Sequence, residues 1–591
     1  MKLFLTIIIM AFCLSSYGAK SRPNVIIIMS DDQGYGDVKS HGHPFIRTPN
    51  MDKLHSEAVR FTDFHVAPMC TPTRGQLLTG VDAMKNGATS VCQGRSMMRR
   101  EIPTLANYFS DAGYKTILSG KWHLGDSYPH RPQDRGFQEV LSFRAWGLPS
   151  LASHWANSFI NNKEPSDSYH DPVLEHNGKD TRFKGYVTDV LFDHAMKEIQ
   201  KCKDQKKPFF LYLPTPTPHT PNISPKEKLK YYQEVRQKKG KLVHVEYYGM
   251  IENIDDNLGR LEAMLQEQGL RDNTILLYLT DNGTQSWQAM KVYNAGMRER
   301  KVSIFEGGHR VPLFVRWPAG KLNHGSDVNA LTQVQDLCPT LLNLCGVEPD
   351  NLYTQSGHDL TPLLKGKKWK HQDRILFVQY QVSGKPWDPA VAMQGPWRLV
   401  RGKKLFNIAE DPHQDKNVAQ YHPERFESMN TAYSDWHKVA HKDFLKKRYI
   451  DLGHPDSPST ILYASDWQGS YCDNPHGLGN STGKGTWHVD VVRAGKYCIE
   501  LSRWPFESDK TLTEGISPQK PEHHSARPIA KGSVKVGDQQ WKADAKKDDR
   551  LLKFEAELKA GKQPLRTMFY NAKDKELCSA NYVRVTILEA L

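Results

Sequence analysis

Several residues whose types could do chemistry occur at the ends of apolar runs. Asp31 and Asp32 close Asn24-Val25-Ile26-Ile27-Ile28-Met29, and Lys121 and His123 follow Tyr114 to Leu118. His219 follows Pro208 to Leu213, and Asp281 and Asn282 follow Thr274 to Leu279. Carboxylate and amide oxygens are hard donors, suited to calcium or magnesium rather than zinc. Histidine titrates near neutrality and suits proton transfer. Lysine and arginine in a water-poor cleft answer the charge of an anionic substrate. Taken singly, each residue has a bland reading. An Asp-Asp pair is usually a turn or a cap, a lone lysine is usually solvated, and the chain has 25 histidines. Their shared position at the ends of apolar runs sets them apart.

The elements that must position them follow from the same runs. A continuous apolar, β-branched segment fits a strand buried on both faces of a parallel sheet. Leu105 to Ala112 reads as a helix closed by Gly113, and Val245 to Gln268 as a long amphipathic helix. Alternating helix and apolar strand predicts a doubly wound α/β fold over residues 20–370. In such sheets ligands bind outside the carboxyl ends of the strands. The polar residues named above are therefore expected to converge on one cleft.

Past residue 370 the texture changes. Ile375 to Gln381, Ala390 to Met393, Trp397 to Val400 and Leu405-Phe406-Asn407 read as short antiparallel strands, with a helix from Pro423 to Val439. Residues 371–450 are expected to form a small α+β subdomain on the main domain. Residues 451–591 read as a β-sandwich, with strands at Ile461 to Trp467, Thr486 to Val492, Tyr497 to Trp504 and Asn581 to Leu588. Turn-rich Gly477 to Gly485 separates strands, and the basic, His-rich Lys520 to Lys531 stretch reads as a loop. Trp467, Trp487 and Trp504 could stack on sugars, but filling the sandwich core is favoured about two to one on burial grounds. The insert from Trp146 to Lys184 and the Trp387 to Trp397 segment are expected to shape the pocket.

The chain has 591 residues, with 79 Lys plus Arg against 66 Asp plus Glu and a net charge of +13, spread along its length. That balance suits an anionic partner. The absence of a zinc-finger, helix-turn-helix or long basic run argues against nucleic acid. Residues 1–19 have the pattern of a secretory signal peptide: Lys2, apolar Leu3 to Leu14, then small Ser16, Gly18 and Ala19. Export to the periplasm or medium is expected. Phe12 before Cys13 fits a lipid-attachment box poorly, and no later apolar run reaches the roughly 20 residues of a membrane span. Of nine cysteines, Cys338 with Cys345 and Cys472 with Cys498 are candidate pairs, free buried thiols being the alternative.

The sharpest motif is Cys70-Thr71-Pro72-Thr73-Arg74-Gly75, continuing Gln76-Leu77-Leu78-Thr79-Gly80. It resembles the signature of the formylglycine-dependent sulfatases of the alkaline phosphatase superfamily. Further motifs follow in the family's order: Asp31-Asp32-Gln33-Gly34-Tyr35-Gly36, Gly120-Lys121-Trp122-His123-Leu124-Gly125, Pro218-His219-Thr220-Pro221 and Thr280-Asp281-Asn282-Gly283. Lys301 and Glu306-Gly307-Gly308-His309-Arg310-Val311-Pro312 complete the set, and the resemblance covers about residues 22–440. Thr71, Thr73 and Gly75 replace the Ser and Ala choices frequent in the family, while Cys, Pro and Arg are kept.

The resemblance implies a sulfatase in which Cys70 is oxidised to formylglycine by a maturation enzyme. It implies one calcium ion held by Asp31, Asp32, Asp281, Asn282 and modified Cys70. Arg74 would hold the formylglycine hydroxyl, and Lys121 and Lys301 the sulfate oxygens. His219 would protonate the leaving alcohol, with Lys301 as a candidate helper, and His123 would take the proton that lets sulfate leave. His309 and His358 sit beside motifs and are not expected to touch substrate. Export, basic charge and an appended β-domain point to a sulfated carbohydrate. Two other readings stand beside this one: a phosphonate or phosphodiester hydrolase of the same superfamily, and a sulfated-glycan-binding protein with an inactive catalytic domain.

Overall fold

The computed structural model describes residues 22–158, 168–380, 382–473, 483–515 and 526–590. The expected signal peptide lies outside the described residues, as do parts of the Trp146 to Lys184, Gly477 to Gly485 and Lys520 to Lys531 stretches. A ten-stranded sheet forms the centre. Its middle strands are parallel and run in the order Thr274–Thr280, Asn24–Ser30, Phe209–Pro214, Lys115–Lys121, Glu139–Phe143. Val25, Ile27 and Met29 enter one core with the helices Cys70–Thr79, Leu105–Asp111 and Leu337–Leu344. Ile26 and Ile28 enter the opposite core with Val187–Asp204 and Val245–Glu267. Burial on both faces is why these strands are apolar at every position. The expected α/β architecture is therefore present.

The sheet is mixed at its margins. Leu313–Arg316 and Val59–Phe61 add antiparallel strands beyond Thr274–Thr280. The hairpin Val173–His176 with Lys179–Arg182 does so beyond Glu139–Phe143. These strands are short and lack a long apolar run, so no period-2 signal announces them. The strand predicted at Tyr114 to Leu118 continues to Lys121, which carries Lys121 to the carboxyl edge.

After residue 370, Leu376–Gln379, Ala390–Gln394, Trp397–Val400 and Lys404–Asn407 form a four-stranded antiparallel sheet. The helix Pro423–Phe444 extends past the predicted Val439. Trp387 stacks on its Tyr433 at 3.7 Å, and Trp397 meets His422 at its start, so both tryptophans of this segment pack on the subdomain's helix. Beyond residue 450 lie two further antiparallel-rich sheets, of seven and four strands. Trp467, Trp487 and Trp504 pack between them, each 0% exposed, as the core-filling reading requires. The strand predicted over Ile461 to Trp467 ends at Tyr463, and Ala464–Asp466 turns as a 3₁₀ helix.

Every described cysteine is a free thiol, so neither candidate disulfide forms. Cys338 lies in the helix Leu337–Leu344 and Cys345 at its end, seven residues on. Their Cα atoms are therefore roughly 10 Å apart along the axis, beyond disulfide reach. Cys498 alternates with core residues Tyr497 and Ile499 and faces away from the core that holds Cys472.

Candidate active site

Cys70 opens the ten-residue helix Cys70–Thr79, with Pro72 in the first turn, where its missing N–H costs nothing. Thr71 Oγ1 donates to the carbonyl of His123 at 3.1 Å, and Thr73 Oγ1 to that of Ala67 at 3.1 Å. The Thr71 hydroxyl ties the helix start to the Lys121–His123 strand end, and the Thr73 hydroxyl ties it to the segment just before the helix. A Cβ on Gly75 would meet Ala88 at 3.0 Å, so the small residue lets the helix lie close. Helix N-termini favour negative charge, and that end points the residue 70 side chain into the acidic cluster.

The structure brings all of the predicted site residues to one buried cleft. Asp31 Oδ2 accepts from Lys121 Nζ at 2.7 Å, and Arg74 lies 3.8 Å from Asp31 Oδ1. Arg74 also donates to Asp281 Oδ2 at 2.7 Å and to the Lys121 carbonyl at 3.0 Å. Asp32 receives Lys301 Nζ at 2.6 Å and the Asn282 amide at 2.7 Å, both on Oδ1, and its own N–H donates to Asp281 Oδ1. Asp32 adopts φ 71° and His123 φ 57°. Non-glycine residues in this region carry strain of order 1–3 kcal/mol, a common mark of functional sites. A Cβ on Gly283 would fall 1.8 Å from the Gly307 carbonyl oxygen. Glycine there lets the Asp281-Asn282 strand end meet the Glu306-Gly307-Gly308 segment.

Three carboxylates (Asp31, Asp32, Asp281) thus face three cationic side chains (Arg74, Lys121, Lys301), all nearly excluded from water. Burial, and then the charge of Asp31, raises the Asp281 carboxyl. Burial alone would discharge Lys301, but the facing charge of Asp32 wins and raises it. Burial pushes the Cys70 thiol up despite both lysines, so an unmodified cysteine here is a poor thiolate.

Both histidines have an assignable free nitrogen. His123 Nε2 donates to the Val91 carbonyl at 3.1 Å, while Nδ1 is buried with no partner among the described residues. Burial, then the charges of Lys121 and Arg74, holds His123 well below its ordinary pKa, so Nδ1 is a bare acceptor. His219 Nδ1 donates to the Thr220 carbonyl at 2.7 Å, leaving Nε2 toward the cleft, 3.4 Å from Asp32 Oδ2. Burial lowers its pKa to about 3 against the pull of Asp32. Trp146, from the predicted insert, lies against His219 with ring centroids 5.0 Å apart.

Asp31, Asp32 and Cys70 place potential ligand atoms within 4.8 Å of one another. Asp31 Oδ1 and Asn282 Oδ1 are buried without hydrogen-bond partners among the described residues. Unpaired buried oxygens are costly, and a hard divalent cation would satisfy them. The donor set therefore fits such an ion.

His309 is not in the cleft. Its Nδ1 pairs with His65 Nδ1 at 2.8 Å, beside Asp63, and Arg398 binds both Glu306 and Asp63. This buried network joins the Glu306–Arg310 segment to the small subdomain. His358 stacks on His371 at 3.7 Å. Sequence reasoning missed the part played by the sandwich. Trp146 Nε1 donates to the Asp473 carbonyl at 2.8 Å, Gln93 to that of Gly469 at 2.9 Å, and Ser96 to Asp466 Oδ1 at 3.2 Å. The segment Asp466–Asp473 thus braces the loop that carries Val91, the partner of His123, and the tryptophan beside His219. Only the tertiary docking of the two units reveals this.

Comparison with known proteins agrees with this geometry. Residues 23–347 match the family model described as Sulfatase, and residues 299–432 match one described as N-sulphoglucosamine sulphohydrolase, C-terminal. The chain is 29% identical to N-acetylgalactosamine-6-sulfatase of Mus musculus, over 63% of this chain and 72% of that protein. It is 30% identical to arylsulfatase A of Homo sapiens, over 60% of this chain and 70% of that protein. Among solved structures it resembles the crystal structure of Ps i-CgsB in complex with k-i-k-neocarrahexaose. The TM-score is 0.63 at 26% identity, covering 72% of this chain and 95% of that one. With its model matched over more than half of the length, the chain belongs to the sulfatase family and is a sulfuric ester hydrolase.

Proposed function

We propose that this protein is an exported, calcium-dependent sulfatase of carbohydrate sulfate esters whose nucleophile is a formylglycine made from Cys70. The observation that carries this reading is the meeting of Cys70 with Asp31 and Asp32 inside a buried ring of Arg74, Lys121 and Lys301. Carboxylate and ammonium charges there nearly cancel, so a divalent ion gives the cleft a net positive field suited to an anionic ester. Asp31, Asp32, Asp281, Asn282 and residue 70 would hold calcium, which would supply Lewis-acid polarisation of the sulfate. A maturation enzyme would convert Cys70 to formylglycine, whose hydrate supplies a hydroxyl nucleophile.

This chain's own side chains do the rest. Lys121 and Lys301 bind sulfate oxygens, and Arg74 holds the residue 70 hydroxyl. Donors fixed in place before the reaction often supply most of an enzyme's rate enhancement. His219 Nε2 carries the proton for the leaving alcohol, and an anionic ester beside it raises the histidine's affinity for that proton. His123, held by Val91 through Nε2, accepts a proton at Nδ1. Export rests on the signal-peptide pattern of residues 1–19, and no helix among the described residues is long and apolar enough to cross a membrane. In this reading residues 20–370 are catalytic, 371–450 complete the fold, and 451–591 are an accessory unit bracing the cleft.

A carbohydrate substrate is supported by the Ps i-CgsB likeness and by Trp146 at the cleft. Enzyme co-produced with a formylglycine-generating enzyme should release sulfate from at least one defined sulfated oligosaccharide with higher kcat/KM than from an aryl sulfate. Hydrolysis of aryl sulfates alone would contradict the carbohydrate assignment, and a preference for aryl phosphonates would contradict the ester class.

A further inference from the structure

A second cluster of ligating side chains lies away from the cleft. Glu139 opens the last parallel strand, His176 ends the first strand of the Val173–Arg182 hairpin, and His194 stands on the helix Val187–Asp204. His176 Nε2 is 2.8 Å and His194 Nε2 3.3 Å from the same oxygen, Glu139 Oε1. All three ligand atoms lie within 4.8 Å of one another.

The protonation of His194 can be read from its neighbours. Ser119 Oγ gives its single proton to the Leu191 carbonyl at 2.8 Å. Toward His194 Nδ1, 3.1 Å away, it can therefore only accept. The neutral ring thus carries its proton on Nδ1 and turns the Nε2 lone pair toward a carboxylate oxygen. Two lone pairs at 3.3 Å repel unless a proton or a metal ion lies between them. One added proton on His194 would make an ion pair with Glu139 alone, whereas a metal ion would engage the lone pairs of all three groups at once. Zinc bonds of about 2.0–2.1 Å in a tetrahedron place ligand atoms roughly 3.3 Å apart; the His194–Glu139 pair has that spacing, and the His176–Glu139 pair, at 2.8 Å, would open by about half an ångström.

We propose that Glu139, His176 and His194 form a zinc-type transition-metal site, with Ser119 fixing the His194 tautomer and a fourth position open to water. Two imidazoles and one carboxylate form a ligand set distinct from the carboxylate-rich, histidine-free cluster at Asp31. The site joins hairpin, sheet and helix near the amino end of the strand Glu139–Phe143, whose last residue Phe143 pairs with Lys121. It is structural, and sulfate-ester chemistry does not pass through it.

The test is isothermal titration of the chelator-stripped full chain with zinc chloride in calcium-containing buffer, for wild type, His194→Gln, His176→Asn and Ser119→Ala. Wild type should bind one zinc more than either histidine variant, and zinc should raise its thermal midpoint but not theirs. Ser119→Ala should weaken that binding about 10–100-fold, as loss of a partner behind a metal ligand does. The variants' circular dichroism and calcium-supported arylsulfatase rate should match wild type. His176 is 40% exposed, so its substitution keeps the test available even if His194→Gln fails to fold. Equal zinc stoichiometry in wild type and His176→Asn, or no zinc bound by wild type, would overturn the site.

Discussion

Lys121 Nζ lies 2.7 Å from Asp31 Oδ2, with both side chains at zero exposure and the strand Phe209–Pro214 between the strands that deliver them. The pair exists because two parallel strands end at the same edge, and each charge is tolerated there only because of the other. Lys121→Ala removes a cation that we propose binds sulfate, and it strands a buried carboxylate. We expect kcat/KM for an aryl sulfate to fall about 10²–10³-fold, with a stability loss of about 3–5 kcal/mol. Initial rates and denaturant titration check both, and an unchanged rate would remove Lys121 from the site.

Calcium should stabilise as well as activate. Asp31 Oδ1 and Asn282 Oδ1 have no hydrogen-bond partner among the described residues, and a bound divalent ion would satisfy both. Calcium at 100 times its dissociation constant should add about 2.7 kcal/mol of stability. EGTA should abolish turnover, and readded calcium should restore it. In Asn282→Ala both the thermal shift and the calcium affinity should shrink. An EGTA-insensitive rate and midpoint would contradict the metal assignment.

His219 should matter in proportion to how badly the leaving group needs a proton. Its Nδ1 is committed to Thr220, leaving only Nε2 for the reaction. His219→Ala should cost about 10²–10⁴-fold on a sulfated sugar, and much less on 4-nitrophenyl sulfate, whose phenolate leaves unaided. Equal losses on the two substrates would point to a positioning role.

The contact between sandwich and catalytic unit should be pH-sensitive. Asp126 N–H donates to Asp466 Oδ2 at 3.4 Å. Burial raises both carboxyls, and the charge of Asp466 raises Asp126 further. A carboxyl raised in the folded state makes that state bind more protons, so stability falls as pH climbs from the unfolded value near 3.9 through the folded values. Wild type should lose thermal stability between about pH 5 and pH 8, and Asp466→Asn should lose less across that window. Parallel curves would contradict the linkage.

The sandwich tryptophans are predicted to act through packing. Trp487 is fully buried and donates to the Tyr463 carbonyl at 2.8 Å. Trp487→Ala should destabilise by about 3–5 kcal/mol, without a change in sulfated-glycan affinity that survives correction for the folded fraction. A lost affinity in a fully folded variant would instead favour direct sugar stacking.

Much of the site was legible because its residues close buried strands. An apolar run ending in Asp31-Asp32 or Asp281-Asn282 announces both the strand and its functional edge. Lys301 and Arg74 were different: nothing in their periodicity marks them, and only motif context drew them in. The marginal strands of the central sheet stayed hidden because Val59–Phe61 and its parallel neighbour Asp327–Val328 are too short to show a pattern. The Asp63–His65–His309–Arg398 network and the bracing by Asp466–Asp473 depend on contacts across hundreds of residues, which no local signal encodes. Sequence spacing left the two candidate cysteine pairs open against free thiols, and the fold decides for free thiols because it sets the helix and the sheet face on which each one lies.

We propose that turnover in this protein depends on residue 70 supplying the nucleophile. The most direct measurement is sulfate release by wild type and Cys70→Ala, both co-produced with a formylglycine-generating enzyme, with the residue 70 peptide weighed by mass spectrometry. Wild type should be active, with sulfur and two hydrogens exchanged for one oxygen at residue 70, and the folded variant should release no sulfate above background. Undiminished sulfate release by Cys70→Ala would contradict that role.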